Sequence, residues 1–98
     1  MNITKTKEGS RLTIALSGRL DTMTAPELEK AINDSIIGVD ELVLDLKELE
    51  YMSSAGLRVL LSAQKKMKNV GSMTVRNVNE MIMEIFEVTG FADILTIA

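Results

Sequence analysis

A chain of 98 residues can form one compact domain around one core, and we expect a single domain over residues 1–98. Hydrophobic residues make up 46% and charged residues 26% of the chain, which is typical of a soluble folded protein. The formal charge of −3, the absence of cysteine and histidine, and only one tyrosine and two phenylalanines exclude disulfides, the usual metal sites and a nucleic-acid-binding surface.

Two further absences shape the expectation for location and ligands. No apolar run approaches the roughly 20 residues of a membrane helix, and no segment resembles a signal peptide, so we expect a cytoplasmic protein without membrane contact. No metal-ligand set or cofactor motif stands out, and we therefore expect no cofactor.

The first residues predict a β-hairpin. Residues 3–7 and 11–16 have the composition and alternation of two short strands, and the turn-forming residues 8–10 separate them. Gly18 is expected to end the second strand.

The next segments predict a helix and a central strand. Thr24 and Glu27 have the spacing of a capping box, so a helix should begin there and end at Gly38. Residues 42–46 are apolar except for Asp45, which is typical of a strand in the middle of a sheet. Asp45 could orient a nearby loop amide or hydroxyl, although a carboxylate at a strand end often has only such a structural role.

The rest of the chain repeats the strand and helix pattern. A loop over residues 47–52 is expected to lead into a second helix that runs to about Asn69. A strand around residues 73–75, a helix capped by Asn77, and a last strand over residues 94–97 complete the prediction.

The predicted order of elements is β-β-α-β-α-β-α-β. Strands that are joined through helices pair in parallel with right-handed crossovers. We therefore expect an α/β fold with a mainly parallel five-stranded sheet, an N-terminal β-hairpin and three helices. The ends of the second and third strands should bring residues 18–21 and 51–56 to the same edge of the sheet.

Ser53 and Ser54 stand at the predicted start of the second helix. Free backbone N–H groups and the helix dipole favour an anion at such a position. One serine suffices as an N-cap, so the other hydroxyl is either functional or simply solvated. Gly56 fits the close approach of another backbone or tight packing. Arg58, one turn into the helix, fits a partner contact or a solvated arginine.

An enzyme that uses a serine nucleophile needs a base for the hydroxyl proton, and the chain has no histidine. The nearest lysines of the second helix, at positions 65, 66 and 68, lie roughly 16 Å or more from Ser54 at 1.5 Å per residue. We therefore predict a regulatory protein and not an enzyme.

The strand at residues 42–46, followed by Tyr51-Met52-Ser53-Ser54-Ala55-Gly56-Leu57, resembles the STAS domain of bacterial anti-sigma factor antagonists. The resemblance covers nearly the whole chain, and residues 18–21 resemble the family's glycine and aspartate segment before its first helix. It implies that an anti-sigma factor with serine kinase activity binds this edge and phosphorylates Ser54, and that a serine phosphatase reverses the modification. The partner-binding residues that it implies are Asp21, Thr22, Ser53, Ala55, Gly56 and Arg58. From the residues alone, 18–21 also fit a simple chain reversal before the first helix.

Two functions follow from this resemblance. In the first, the unphosphorylated chain binds the anti-sigma factor and releases a sigma factor, until phosphorylation at Ser54 reverses the process. In the second, the chain is a STAS adaptor subunit of a transport or signalling assembly that is never phosphorylated. Family members often have an aspartate and a serine or threonine where this chain has Ser53 and Ala55, and this departure favours the adaptor.

Overall fold

The computed structural model describes all 98 residues, and the predicted order of elements is confirmed as far as the third helix. The elements are β1 (Asn2–Glu8), β2 (Arg11–Leu20), α1 (Ala25–Ser35), β3 (Glu41–Met52), α2 (Ser54–Lys68), β4 (Ser72–Arg76), α3 (Glu80–Thr89) and a 3₁₀ turn (Phe91–Asp93). None of the helices combines the length and the apolar character that crossing a membrane requires.

The sheet has four strands in the order β1-β2-β3-β4. β1 pairs with β2 antiparallel, while β2, β3 and β4 pair in parallel. The N-terminal hairpin, the parallel pairing and the central position of the third strand are therefore confirmed, in a sheet that is mixed because of β1.

The predicted fifth strand at residues 94–97 is wrong. Gly90 ends α3 with a left-handed φ of 82°, and the 3₁₀ turn follows at once. Ile94 caps this turn and Leu95 packs into the core with 5% exposure, so the chain meets β4 only around Val75. Only an isolated parallel bridge joins Ile97 to Val75.

Two predicted boundaries are wrong because the strands bend. β2 does not end at Gly18 but continues to Leu20, and β3 extends through the predicted loop at residues 47–52. The pairing of β2 with β3 contains two register shifts. Such irregularities change which side chains face the core, so Leu49 and Met52 are buried although charged residues stand between them and the apolar first half of the strand.

Two predicted helix caps are also wrong. Thr24 is the N-cap residue of α1 but makes no side-chain capping bond, because its Oγ1 accepts a hydrogen bond from the Asp21 amide at 2.9 Å and donates to the Arg19 carbonyl oxygen at 2.8 Å. Asn79, and not Asn77, caps α3, with its Oδ1 accepting a hydrogen bond from the Ile82 amide at 2.8 Å. Asn77 lies before the helix with a left-handed φ of 57°.

The helices cover one face of the sheet. Cross-strand partners on that face belong to the same hydrophobic cluster as the buried residues of all three helices. Before the register shifts, the positions of the other parity in β2, β3 and β4 are outside this cluster. The cross-strand row inside the cluster is Leu12, Leu42 and Met73, and the next row, on the open face, is Thr13, Val43 and Thr74. The two faces of the sheet thus meet different surroundings, with the helices on one of them.

Candidate functional site

The two segments predicted to share an edge are neighbours in the structure. Arg19 pairs with Tyr51, Leu20 pairs with Met52, and the Ser53 amide donates a hydrogen bond to the Leu20 carbonyl oxygen at 2.8 Å. The loop before α1 and the start of α2 therefore leave the sheet side by side, as parallel strands require.

The two serines at the start of α2 differ in exposure. Ser53 is the N-cap residue, but its side chain makes no capping bond, and its Oγ is buried without a hydrogen-bond partner. Ser54 is the first helical residue and is exposed. The first helical hydrogen bond runs from the Leu57 amide to the Ser53 carbonyl oxygen at 3.1 Å. The amides of the first turn consequently lack an acceptor within the helix and face the carboxyl edge.

Gly56 lies beneath this surface and is buried. A Cβ atom at this position would lie 2.7 Å from Cγ of Leu20 and 2.9 Å from Cγ of Met52. Of the two explanations that the sequence left open, the structure supports tight packing, because side chains of β2 and β3 fill the space. Gly56 therefore brings α2 close to the strand ends.

Asp21 organises the loop before α1. Its Oδ1 accepts hydrogen bonds from the amides of Met23 at 3.0 Å and Thr24 at 3.1 Å. The bond from the Thr24 amide is the main reason that the pKa of Asp21 lies below its usual value, and the Met23 amide adds to the effect. The Asp21 carboxylate therefore builds the turn, and Thr22 is exposed at the tip of that turn.

Asp45 also has a structural role, in the first half of β3. Its Oδ1 accepts hydrogen bonds from the Asn77 side chain at 2.8 Å and from the Lys47 amide at 3.1 Å. The bond from Asn77 is the largest cause of a lowered Asp45 pKa. The carboxylate thus orients the side-chain amide of Asn77 in the loop before α3, as the sequence suggested, and it also binds a backbone amide within β3.

Sequence reasoning missed a stacked pair beside the site. The guanidinium carbon of Arg19 lies 4.3 Å from the centre of the Tyr51 ring, and Arg19 Nε lies 3.9 Å from Oδ2 of Asp21. Cation–π contact of this kind holds the arginine over the ring. The sequence contains one hint of this pair. Arg19 lies two residues before Asp21, and Tyr51 lies two residues before Ser53.

The other predicted contact residues are spread over this edge. Ser54, Thr22 and Arg58 are exposed, whereas Asp21 and Ala55 are partly buried. Ala55 also packs against the hydrophobic core. No group of three or more histidine, cysteine, aspartate or glutamate side chains comes together to hold a metal ion. The arrangement offers an exposed hydroxyl, free amides and a mixed-charge rim, which suits the binding of another protein or of an anion.

The chain is similar to known proteins. The family described as "Mlab, STAS domain" matches residues 3–96. BtrV of Bordetella bronchiseptica, provisionally named as an anti-sigma factor antagonist, is 34% identical over 100 residues, which cover all of this chain and 86% of that protein.

Two solved structures share the fold. An anti-sigma factor antagonist from Mycobacterium paratuberculosis superposes with a TM-score of 0.87 at 26% identity, covering 98% of this chain and 83% of the other. The Bacillus cell fate determinant SpoIIAA in its phosphorylated form gives a TM-score of 0.78 at 19% identity, over 99% of this chain and 91% of the other. At that lower identity the second likeness concerns the fold alone.

Proposed function

This chain belongs to the STAS domain family, and from that premise we propose that it is an anti-sigma factor antagonist controlled by phosphorylation. The unphosphorylated chain binds an anti-sigma factor that has serine kinase activity, and a sigma factor is released. The kinase then modifies Ser54, and a serine phosphatase restores the binding form. The process takes place in the cytoplasm, and the chain itself is substrate and ligand, not catalyst.

The observation that carries this proposal is the difference between the two serines. A kinase must bring its nucleotide to the acceptor hydroxyl, which requires an accessible side chain. Ser54 is exposed at the first position of α2, whereas Oγ of Ser53 is buried. Exposure therefore favours Ser54 over its neighbour, although both have the same chemistry.

The start of α2 can accept a phosphate without unfolding. Phosphoserine carries roughly −1.5 to −2 charges near neutral pH and three acceptor oxygens. The amides of Ala55 and Gly56 belong to the first turn, and the helix dipole there favours negative charge. The cost of the modification consequently falls on a docked partner, which must meet added charge and bulk in the middle of the contact surface.

The test is phosphorylation by the cognate anti-sigma factor with ATP, followed by mass mapping and by titration calorimetry. One phosphate on Ser54 is expected, together with a large loss of affinity in the modified chain. Ser54→Ala should remain unmodified and still bind, and Ser53→Ala is the matched control that should be modified like the original chain. A phosphate on any other residue, or unchanged affinity after modification of Ser54, would refute the proposal.

One observation favours the adaptor function that the sequence left open. Ser53 and Ala55 supply no carboxylate or second exposed hydroxyl beside Ser54, and Ala55 packs partly into the core. An adaptor that is never phosphorylated needs neither group. In that case the kinase reaction would leave the chain unmodified, and Ser54→Asp would bind the partner as well as the original chain does.

A further inference from the structure

The outer side of α3 carries apolar residues that the domain leaves uncovered. Met81, Ile85 and Val88 follow at intervals of four and three residues, so they lie on one side of the helix. Met81 is 52% exposed, Val88 is 81% exposed, and Ile85 is partly buried. We call these three residues the α3 stripe.

The α3 stripe borders the side of the helix that anchors it, and its middle residue, Ile85, packs partly against the hydrophobic core. Ile82 and Phe86 have no exposed surface and belong to the hydrophobic core. The stripe instead lines a shallow cavity of about 310 Å³, together with Glu84 and Thr89. The apolar surface of the helix is therefore wider than the domain covers, and Met81 and Val88 lie on its uncovered part.

The charges of α3 have one sign. The helix contains Glu80, Glu84 and Glu87 and no basic residue. Glu80 and Glu84 are four residues apart, Glu84 and Glu87 are three apart, and like charges at these spacings repel each other. Glu87 also lies near the negative end of the helix dipole, where a cation would be favourable. These charges reduce the stability of the isolated helix.

The second helix shows that the chain can place charges differently. The last turn of α2 has Lys65, Lys66 and Lys68, which complement the helix dipole. The last turn of α3 has no basic residue. A row of uncompensated glutamates beside exposed apolar side chains is the pattern expected when the missing cations come from another molecule.

The start of α3 is attached to the strand that leads to the candidate site. The Asn79 side chain, at the start of α3, donates a hydrogen bond to the Leu49 carbonyl oxygen at 3.1 Å. Leu49 is on β3, which continues to Met52 and then to the two serines. The stripe is thus held to the strand that carries the site, but none of its residues is among the predicted contact residues.

We propose that the α3 stripe binds an amphipathic helix of a partner protein, in which an apolar row lies between lysine or arginine residues. Apolar contact removes Met81 and Val88 from water, and the partner's cations relieve the repulsion among the glutamates. This is a second docking surface, which goes beyond the proposed function and does not depend on phosphorylation. Symmetric pairing of two copies of this chain would set the glutamates against each other, and anionic lipid would be repelled in the same way.

The probe is a synthetic amphipathic peptide of about 18 residues, with leucines at helical spacing and lysines beside them. It is titrated into the ¹⁵N-labelled chain and followed by NMR. Shift changes should concentrate on α3, and Val88→Ser should weaken binding about tenfold, because an exposed anchor is lost while the core is untouched. The matched control is Ile37→Ser, since Ile37 is 86% exposed but lies in the loop after α1.

A second peptide, with glutamate in place of lysine, should not bind. The proposal is overturned if the lysine peptide does not bind, if its shift changes spread evenly over the acidic surface, or if Ile37→Ser weakens binding as much as Val88→Ser. It is also overturned if analytical ultracentrifugation finds a dimer that Val88→Ser dissociates, because the occupant would then be a second copy. Binding to phosphatidylcholine vesicles that Val88→Ser abolishes would assign the stripe to a lipid surface instead.

Discussion

Replacing Gly56 by alanine tests how closely α2 packs on the strand ends. The new methyl group would lie 2.7 Å from Cγ of Leu20 and 2.9 Å from Cγ of Met52. Carbon atoms pack best at about 3.5–4.0 Å, so neighbouring atoms would have to move by about 0.8 Å. Overpacking of this kind costs about 1–3 kcal/mol. Alanine recovers only about 0.5–1 kcal/mol through its better helix propensity. We expect a net loss of about 1–2 kcal/mol, which combines these two effects.

Urea and thermal unfolding would measure this loss, and each kcal/mol corresponds to about 4–8 °C in Tm for a domain of this size. The Leu20→Ala variant, which by itself costs about 2–5 kcal/mol, removes the closest obstructing atoms. In that background Gly56→Ala should cost about 1 kcal/mol less than in the original chain. If Gly56→Ala alone raises the free energy of unfolding, helix propensity dominates and the packing argument is refuted.

Three further predictions concern single polar groups. Ser53→Ala should leave the free energy of unfolding unchanged or raise it by up to about 1–3 kcal/mol, because it removes a buried hydroxyl that has no hydrogen-bond partner. Asn79→Ala should instead cost about 1 kcal/mol through loss of its cap, and equal losses in urea unfolding would contradict this. The lowered pKa of Asp21 means that its contribution is present above the unfolded pKa, about 3.9, and is lost as pH falls through the folded pKa. The difference in Tm between the original chain and Asp21→Asn should therefore be largest near neutral pH and shrink toward about pH 2, and a difference independent of pH would show that the carboxylate is not responsible. Asn77→Gly keeps the left-handed backbone but removes the donor to Asp45, so NMR titration should find a higher Asp45 pKa in the variant, and an unchanged pKa would exclude this hydrogen bond as its cause.

Much of the fold could be predicted because local patterns and tertiary packing agree. The hairpin, the three helices and the parallel pairing follow from alternation, helical spacing and chain order. The prediction failed where a tertiary contact decided the outcome. Residues 94–97 have the composition of a strand, but the 3₁₀ turn and the burial of Leu95 leave only the residues after Leu95 to pair with β4, at Val75. The charged residues at 47–52 suggested a loop, because no sequence pattern announces a register shift.

The candidate site was also predictable only in part. Its location at the sheet edge could be predicted, since parallel strands deliver their carboxyl ends to one side. The different exposure of Ser53 and Ser54 could not, because two adjacent serines look alike until the direction of each side chain is fixed. The predicted capping bond of Thr24 was wrong for a related reason, since the Asp21 amide donates to the hydroxyl oxygen that would otherwise accept from an amide of the helix.

The single bridge at the end of the chain has a consequence for behaviour at high concentration. The amide of Val75 donates to the Thr96 carbonyl oxygen at 2.8 Å, and the Val75 carbonyl oxygen accepts from the Ala98 amide at 3.0 Å. These bonds occupy the middle of the outer edge of β4, which would otherwise be a template for strands of other molecules. The last residues thus protect the edge of β4 from pairing with strands of other molecules, although they form no regular strand themselves.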